Sequence, residues 1–176
     1  MLRSIAVLLF LTVFFTAKAS AQDDTDNHWE VYAMASAMNG GTLQTSAKGF
    51  RIGGAWRPSR YLSLVADSGH YFPSGQGNGA TTLTAGPRFY SHLFTDSILT
   101  HRRPWMIPYA QFMVGGQRTA VQGQSQEWSF AIAPGGGVDL LVADHVTFRI
   151  VEADVPLSSR SGAIRLSTGF SFNFGR

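Results

Sequence analysis

The stretch IRLSTGFSFNFGR, residues 164–176, alternates large apolar side chains with small or polar ones over its first eleven positions. One alternating set is apolar apart from a single threonine: Ile164, Leu166, Thr168, Phe170, Phe172 and Phe174. The other set is small or polar: Arg165, Ser167, Gly169, Ser171 and Asn173. Because successive side chains of a β-strand point to opposite faces, the stretch predicts a strand with one apolar and one polar face.

The same period of two recurs along the chain in eight segments separated by turn-like residues. These segments are residues 28–36, 48–56, 61–71, 81–90, 105–116, 127–141, 145–155 and 163–174. Their lengths cluster around the roughly 9–11 residues that a tilted strand needs to cross a bilayer. Strands of soluble proteins are more often about 5–6 residues long.

The connections between the segments fall into two classes. Tight turns occupy residues 57–60 and 143–144, whereas longer polar connections occupy residues 37–47, 72–80, 117–126 and 156–162. Short turns at one end and longer loops at the other are typical of outer-membrane barrels. We therefore predict an all-β fold, an eight-stranded antiparallel up-and-down transmembrane β-barrel. The long connection at residues 91–104 is the exception to this pattern.

The chemistry of the two faces distinguishes a membrane barrel from a soluble one. In segment 127–141, Trp128, Phe130 and Ile132 oppose serine, alanine and glycine residues. The interior of an eight-stranded barrel is just wide enough to be filled by side chains, so the small face fits the lumen and the bulky face fits lipid. A soluble ligand-binding barrel of lipocalin type is the alternative, and it requires the opposite assignment of the faces.

The beginning of the chain predicts export. Arg3 precedes the apolar run at residues 5–15, and Ala19-Ser20-Ala21 is typical of a signal-peptidase site. We expect residues 1–21 to be a signal peptide, residues 22–27 a short periplasmic tail and residues 28–176 the barrel domain. Removal of Arg3 and Lys18 with the signal peptide lowers the formal charge from +3 to about +1. A net charge this small gives no reason to expect nucleic acid as a partner. The chain has no cysteine, so disulfides and thiolate metal sites are excluded.

Charged residues occupy the alternate strand positions that we expect to face the lumen. Four acidic and four basic side chains lie at these positions: Glu30, Asp67, Glu127 and Asp139 with Arg51, Arg88, Arg149 and Arg165. Arginine pairs well with carboxylates in dry surroundings, so we predict a structural network of charges that fills the barrel; the alternative places several of them at the rims, in water. Glu152 and Asp154 join the network if a bulge lies near Val151, and otherwise lie at the outer rim.

Three further sets of residues, tryptophans, prolines and histidines, suggest local roles. The tryptophans Trp29, Trp56, Trp105 and Trp128 lie near strand ends, as expected of interfacial aromatic residues, although ordinary strand packing is the alternative. Pro87, Pro108 and Pro134 each remove a ladder donor and suggest bulges or broken pairing. His92 and His101 lack the spacing and carboxylate support of a metal site, so we expect no metal and no cofactor.

The segments PYAQFMVGG (108–116), APGGGVDLLVADHVTFRIVEADV (133–155) and IRLSTGFSFNFG (164–175) resemble the small outer-membrane β-barrels of OmpA and OmpX type, including the opacity-like porin family. The resemblance implies that both termini lie in the periplasm, that the four longer loops lie outside the cell and that the barrel-assembly machinery inserts the chain. It also implies that Phe170, Phe172 and Phe174 form the C-terminal assembly signal. Here, however, Gly175 and Arg176 follow the last phenylalanine.

Together these features predict a monomeric protein of the bacterial outer membrane that contacts outer-membrane lipid. Its expected role is structural or surface-interacting, with a side-chain-filled polar lumen and no catalytic residues; no loop partner is identified. One alternative is a narrow pore for small solutes or ions. Another is an enzyme that modifies lipid A, for which His70 would be the catalytic candidate.

Overall fold

The computed structural model describes residues 28–40, 46–73, 79–91, 106–120, 128–143, 145–158 and 161–174. Eight long strands account for most of them: β1 (His28–Asn39), β2 (Ala47–Ser59), β3 (Leu62–Pro73), β4 (Gly79–Tyr90), β5 (Met106–Ala120), β6 (Trp128–Ala143), β7 (Val146–Asp154) and β10 (Ile164–Phe174). Two short strands, β8 (Leu157–Ser158) and β9 (Ser161–Gly162), lie between β7 and β10. The predicted signal peptide, the tail 22–27, Trp105, Glu127 and most of the connection 91–104 lie outside the described residues.

The eight long strands form one closed antiparallel sheet. The strand order is β5-β4-β3-β2-β1-β10-β7-β6, and the additional pairing of β5 with β6 closes the barrel. The first and last strands pair along their whole length, from Trp29 opposite Phe174 to Asn39 opposite Ile164. The predicted fold class is therefore confirmed. None of the described residues forms a helix that is long and apolar enough to span a membrane.

The strands extend further than the alternation of side chains predicted. Strand β1 continues to Asn39 and β5 to Ala120, so the longer connections are shorter than expected. The predicted loop at residues 156–162 was wrong in part, because it contains the β8–β9 hairpin. Val155 donates its backbone N–H to the carbonyl of Pro134, 3.0 Å away, and Leu157 pairs with Ile132, so β8 prolongs β7 along β6. The inward and outward positions also keep alternating here, with Val155 and Leu157 exposed and Pro156 buried.

Strand β7 contains a bulge at Ile150 and Val151. On one side Ser167 and Gly169 of β10 pair with Glu152 and Arg149, so three steps of β7 match two of β10. The pairing with β6 shifts at the same place. Ile150 and Val151 consequently both face outward, and the residues that follow return to the lumen phase.

The prolines disturb the ladder less than predicted. The register is continuous where Pro108 pairs with Val138 and where Pro134 pairs with Phe112. Around Pro87, the pairing of β4 with β5 is interrupted between Ala85 and Arg88, but the register is the same on both sides. No bulge lies at these prolines, because the strand can keep its register when a single donor is missing.

The two faces have the predicted chemistry. Large apolar side chains on the outside are half exposed, among them Trp29, Ile52, Leu83, Phe130 and Phe170. Charged, hydroxyl and small side chains are buried within the barrel, together with two apolar clusters, one around Met34 and Met113 and one around Met38 and Tyr71. An apolar exterior around a largely polar interior is the arrangement of a barrel that spans a membrane.

Candidate functional site

The lumen gathers charged side chains from seven strands. All nine predicted lumen charges within the described residues are at most 4% exposed: Glu30, Arg51, Asp67, Arg88, Asp139, Arg149, Glu152, Asp154 and Arg165. Glu127 lies outside the described residues. Ion pairs connect the nine into a single network.

Glu152 is the acceptor on which the network converges. It accepts hydrogen bonds from Nη1 of Arg51, from Nη2 of Arg88 at 3.4 Å and from Nη1 of Arg149 at 3.3 Å. The hydroxyl of Tyr109 donates to the same carboxylate at 2.6 Å. Glu152 reaches this position because the β7 bulge turns it inward, as one of the two alternatives from the sequence required.

Two arginines hold a carboxylate with two nitrogens each. Arg149 donates from Nε and Nη2 to the two oxygens of Asp139, at 2.7 and 3.0 Å. Arg165 donates in the same way to Asp154, at 2.7 and 2.9 Å. Such two-point pairs fix geometry as well as charge, because the planar guanidinium matches the carboxylate.

The remaining contacts bridge these pairs across the barrel. Arg149 also donates to Glu30 at 3.0 Å, and Nη1 of Arg88 lies 3.6 Å from the same carboxylate. Arg51 donates to Asp67 and, at 3.4 Å, to Asp154. Every lumen arginine therefore contacts at least one buried carboxylate, which offsets the cost of removing its charge from water.

Tyrosines complete the network, and sequence reasoning did not single them out. The guanidiniums of Arg88 and Arg149 lie over the ring of Tyr109, at 4.6 and 5.0 Å, and over the ring of Tyr32, at 5.6 and 5.1 Å. The hydroxyl of Tyr32 donates to Asp67 at 3.1 Å. The sequence could have indicated that Tyr32 faces the lumen, because it lies two residues from Glu30 and therefore on the same face of the strand.

Glycines make room for these rings. A Cβ at Gly53 would lie 2.5 Å from the ring and hydroxyl of Tyr32, and one at Gly137 would lie 2.5 Å from the hydroxyl of Tyr109. Real Cβ atoms do not approach other atoms so closely. The glycine run at residues 135–137 therefore has a packing role inside a strand.

The comparisons with known proteins give the fold. No protein-family model matches the chain, and no curated protein matches it in sequence. The crystal structure of Neisserial surface protein A superposes with a TM-score of 0.58 at 18% identity, covering 84% of this chain and 96% of that one. The N-terminal barrel domain of Pseudomonas aeruginosa OprF gives 0.58 at 16% identity, covering 86% and 100%. Ail, the attachment invasion locus protein of Yersinia pestis, gives 0.52 at 11% identity, covering 85% and 99%.

The chain has the fold of the small outer-membrane barrels of OmpA and OmpX type. A shared fold at such low identity does not by itself assign an activity. The fold and the apolar exterior both support the predicted location in the bacterial outer membrane.

The predicted interfacial residues lie on the outside of this outer-membrane barrel. Trp29 and Trp56 pair across β1 and β2 at the end that carries the termini, with ring centroids 6.4 Å apart. Trp128 begins β6 at the opposite end and is 54% exposed. Phe170, Phe172 and Phe174 also face outward. Aromatic residues at both ends of the strands have the positions of an interfacial belt.

The structure does not assemble a catalytic group around His70. This side chain faces outward, and its Nδ1 lies 3.1 Å from Oγ1 of Thr81. Asp67, the carboxylate three positions before His70, is buried in the lumen against Arg51. Within the described ranges, no three histidine or acidic side chains are grouped as metal ligands.

Proposed function

We propose that the chain is a monomeric outer-membrane barrel sealed by its own side chains, with a structural and surface-interacting role in the cell envelope. The single observation that carries this proposal is the connected network of four arginines and five carboxylates in the lumen. A channel for ions or solutes would need a continuous aqueous path through this region.

The energetics of the network favour a permanently filled lumen. Removing one partner of a buried ion pair typically costs about 3–5 kcal/mol, because it leaves an uncompensated charge. Opening a path past Glu152 would break its contacts with Arg51, Arg88 and Arg149 together. The tyrosine rings of Tyr32 and Tyr109 would also have to move, since they lie against two of these arginines.

The surface role is supported by the layout of the chain. If the termini lie in the periplasm, the connections after β1, β3 and β5 and the β8–β9 hairpin lie outside the cell. Two of the solved structures of this fold are named as a surface protein and an attachment invasion locus protein. We propose that this barrel likewise acts through its outer end. The barrel-assembly machinery would insert it, with the outward face of Phe170, Phe172 and Phe174 as the signal.

We propose no enzymatic activity. The support is the separation of His70 on the outer face from Asp67 in the lumen. Incubation of the folded protein with lipid A tests this directly, since an enzyme of this class would alter the lipid and His70→Ala would abolish the change. We expect unchanged lipid with both proteins.

Planar-bilayer recording tests the sealed lumen. The folded protein, verified by its altered gel mobility before boiling, is expected to produce no steps of current above those of a detergent control. Reproducible current steps that change size in Arg88→Ala would contradict the proposal and establish the pore. The Lys48→Ala variant is the matched control, because Lys48 is a cation on the outer face.

A deletion strain tests the envelope role. Cells without the protein are expected to become more sensitive to detergent and to recover when the wild-type chain is supplied. Unchanged sensitivity, with the protein shown to be present in wild-type outer membranes, would contradict the structural role.

A further inference from the structure

Within the described residues, the exterior of the barrel carries basic side chains, whereas the acidic ones lie inside. All five acidic residues within the described ranges are buried in the lumen: Glu30, Asp67, Asp139, Glu152 and Asp154. The exposed Lys, Arg, Asp and Glu side chains in the same ranges are Lys48, Arg60 and Arg118, and all three are basic. Arg60 lies in the turn after β2, at the end with the termini, whereas Lys48 and Arg118 lie toward the opposite end.

Cross-strand pairing places Lys48 and Arg118 in one outward-facing band. Along the rungs of the sheet, Phe50 pairs with His70, His70 with Thr81, Thr81 with Arg118 and Arg118 with Trp128. Lys48 lies one outward position beyond Phe50 and pairs with Phe72. We call these residues the basic band: Lys48, Phe50, His70, Phe72, Thr81, Arg118 and Trp128.

Aromatic side chains hold the band in place. The ring of His70 meets that of Phe72 edge-on, with centroids 4.9 Å apart, and Phe50 and Phe72 are 6.2 Å apart. Trp128 lies over Gly116, where an added Cβ would come within 2.8 Å of its ring. Lys48 pairs with Phe72 and Arg118 pairs with Trp128, so each cation lies beside an aromatic side chain, which is suited to the boundary between lipid tails and headgroups.

We propose that the basic band binds the phosphate groups of an outer-leaflet glycolipid. Lysine attracts phosphate as a point charge and arginine can bind it with two nitrogens, while His70 and Thr81 between them offer further hydrogen-bonding groups. Among the described residues neither Lys48 nor Arg118 forms an ion pair, and the five acidic side chains of that part of the chain all lie in the lumen. The inference rests on the outer-membrane location and orientation, but not on whether the lumen conducts.

The spacing of the band indicates the kind of headgroup. Lys48 on β2 and Arg118 on β5 are three strands apart, or about 14 Å along the wall at the usual inter-strand spacing. We expect each cation to bind its own phosphate, because the two side chains project outward from separate points of the wall. The band therefore fits a headgroup that carries two separated phosphates, or two neighbouring headgroups.

Binding of lipid A tests the proposal. The folded barrel, in detergent micelles, is titrated with lipid A carrying two phosphates and with enzymatically dephosphorylated lipid A. We expect the double variant Lys48→Gln/Arg118→Gln to bind the phosphorylated lipid at least about tenfold more weakly, and the wild type to lose a similar factor when the phosphates are removed. Raising the salt concentration should weaken wild-type binding more than binding by the variant.

The control is Arg60→Gln, which removes an exposed cation at the other end of the barrel. It is expected to bind as the wild type does. Equal binding by the double variant and the wild type, or equal binding of the two lipids, would overturn the proposal. Gel mobility before and after boiling verifies that each variant is folded, and bilayer recording of the same samples tests the sealed lumen separately.

Discussion

Arg51 of β2 donates a hydrogen bond from Nη1 to Oε1 of Glu152 on β7, although the two residues are 101 positions apart in the chain. The contact depends on the bulge at Ile150 and Val151, without which Glu152 would point outward. A local irregularity in one strand thus gives the lumen network the acceptor that three arginines share.

Replacing this acceptor should destabilise the barrel strongly. Glu152→Ala removes the carboxylate and leaves Arg51, Arg88 and Arg149 with fewer partners, so we expect a loss of about 3–5 kcal/mol in the free energy of unfolding. Glu152→Gln keeps the shape but not the charge and should fall between the wild type and the alanine variant. Urea unfolding in lipid vesicles, followed by gel mobility, measures both. Variants as stable as the wild type would contradict the role of Glu152.

The bulge itself can be removed. Deletion of Val151 should restore strict alternation and keep Glu152 and Asp154 in the lumen, because Arg149 and Glu152 would then be two positions apart. We expect this variant to fold by the gel assay. Deletion of Ile150 and Val151 together should instead place Glu152 next to Arg149 and send Glu152 and Asp154 toward lipid, where carboxylates are costly, so we expect little or no folded protein. A double deletion that folds with wild-type stability would contradict the role of the bulge in directing Glu152 inward.

Two neighbouring glycines should respond differently to alanine. Gly53→Ala places a Cβ 2.5 Å from Tyr32 and 2.6 Å from a backbone oxygen, whereas at Gly54 the nearest atom is the Glu30 carbonyl oxygen, 3.3 Å away. Overpacking at Gly53 should cost about 1–3 kcal/mol. Gly54→Ala should cost clearly less in the same urea experiment. Equal losses would mean that the space at Gly53 is not reserved for the Tyr32 ring.

The assignment of the faces predicts a cost that depends on lipid. Phe170 is half exposed at the middle of β10, so Phe170→Arg should destabilise the barrel in vesicles by up to about 2–4 kcal/mol. Phe170→Leu serves as the control, since it keeps the site apolar and should change the stability far less. An arginine variant as stable as the leucine variant would contradict a lipid-facing position.

The barrel could be predicted from the sequence because apolar and polar side chains alternate within each strand. The alternation from Ile164 to Phe174 is a local property, and the same phase that places Arg165 inward applies in every strand. The irregularity of β7 was also accessible, since Arg149 and Glu152 are three positions apart and can both face inward only if a bulge absorbs one residue between them. Such arguments need no knowledge of which strands are neighbours.

The side-chain contacts within the lumen could not be predicted from the alternation of inward and outward positions alone. Arg51 meets Glu152, Asp67 and Asp154, and this choice of partners depends on strand tilt and on the relative heights of residues on different strands. The tyrosines were missed because an aromatic side chain in the lumen phase resembles ordinary packing. The β8–β9 hairpin was missed because the proline, serine and glycine residues of 156–162 are typical of a loop, whereas β8 forms by pairing with β6, which is distant in the sequence.

The measurement that tests the sealed lumen most directly is the reactivity of a single cysteine placed within it. The native chain has no cysteine, and Ser167 is buried beside Arg51 and Ser36, whereas Ser46 is exposed at the end of the barrel where β2 begins. With a water-soluble maleimide and barrels folded in lipid vesicles, we predict that Ser46→Cys reacts readily and that Ser167→Cys reacts only after unfolding. Labelling of Ser167→Cys in the folded barrel at the rate of Ser46→Cys would show a water-filled lumen and contradict the account.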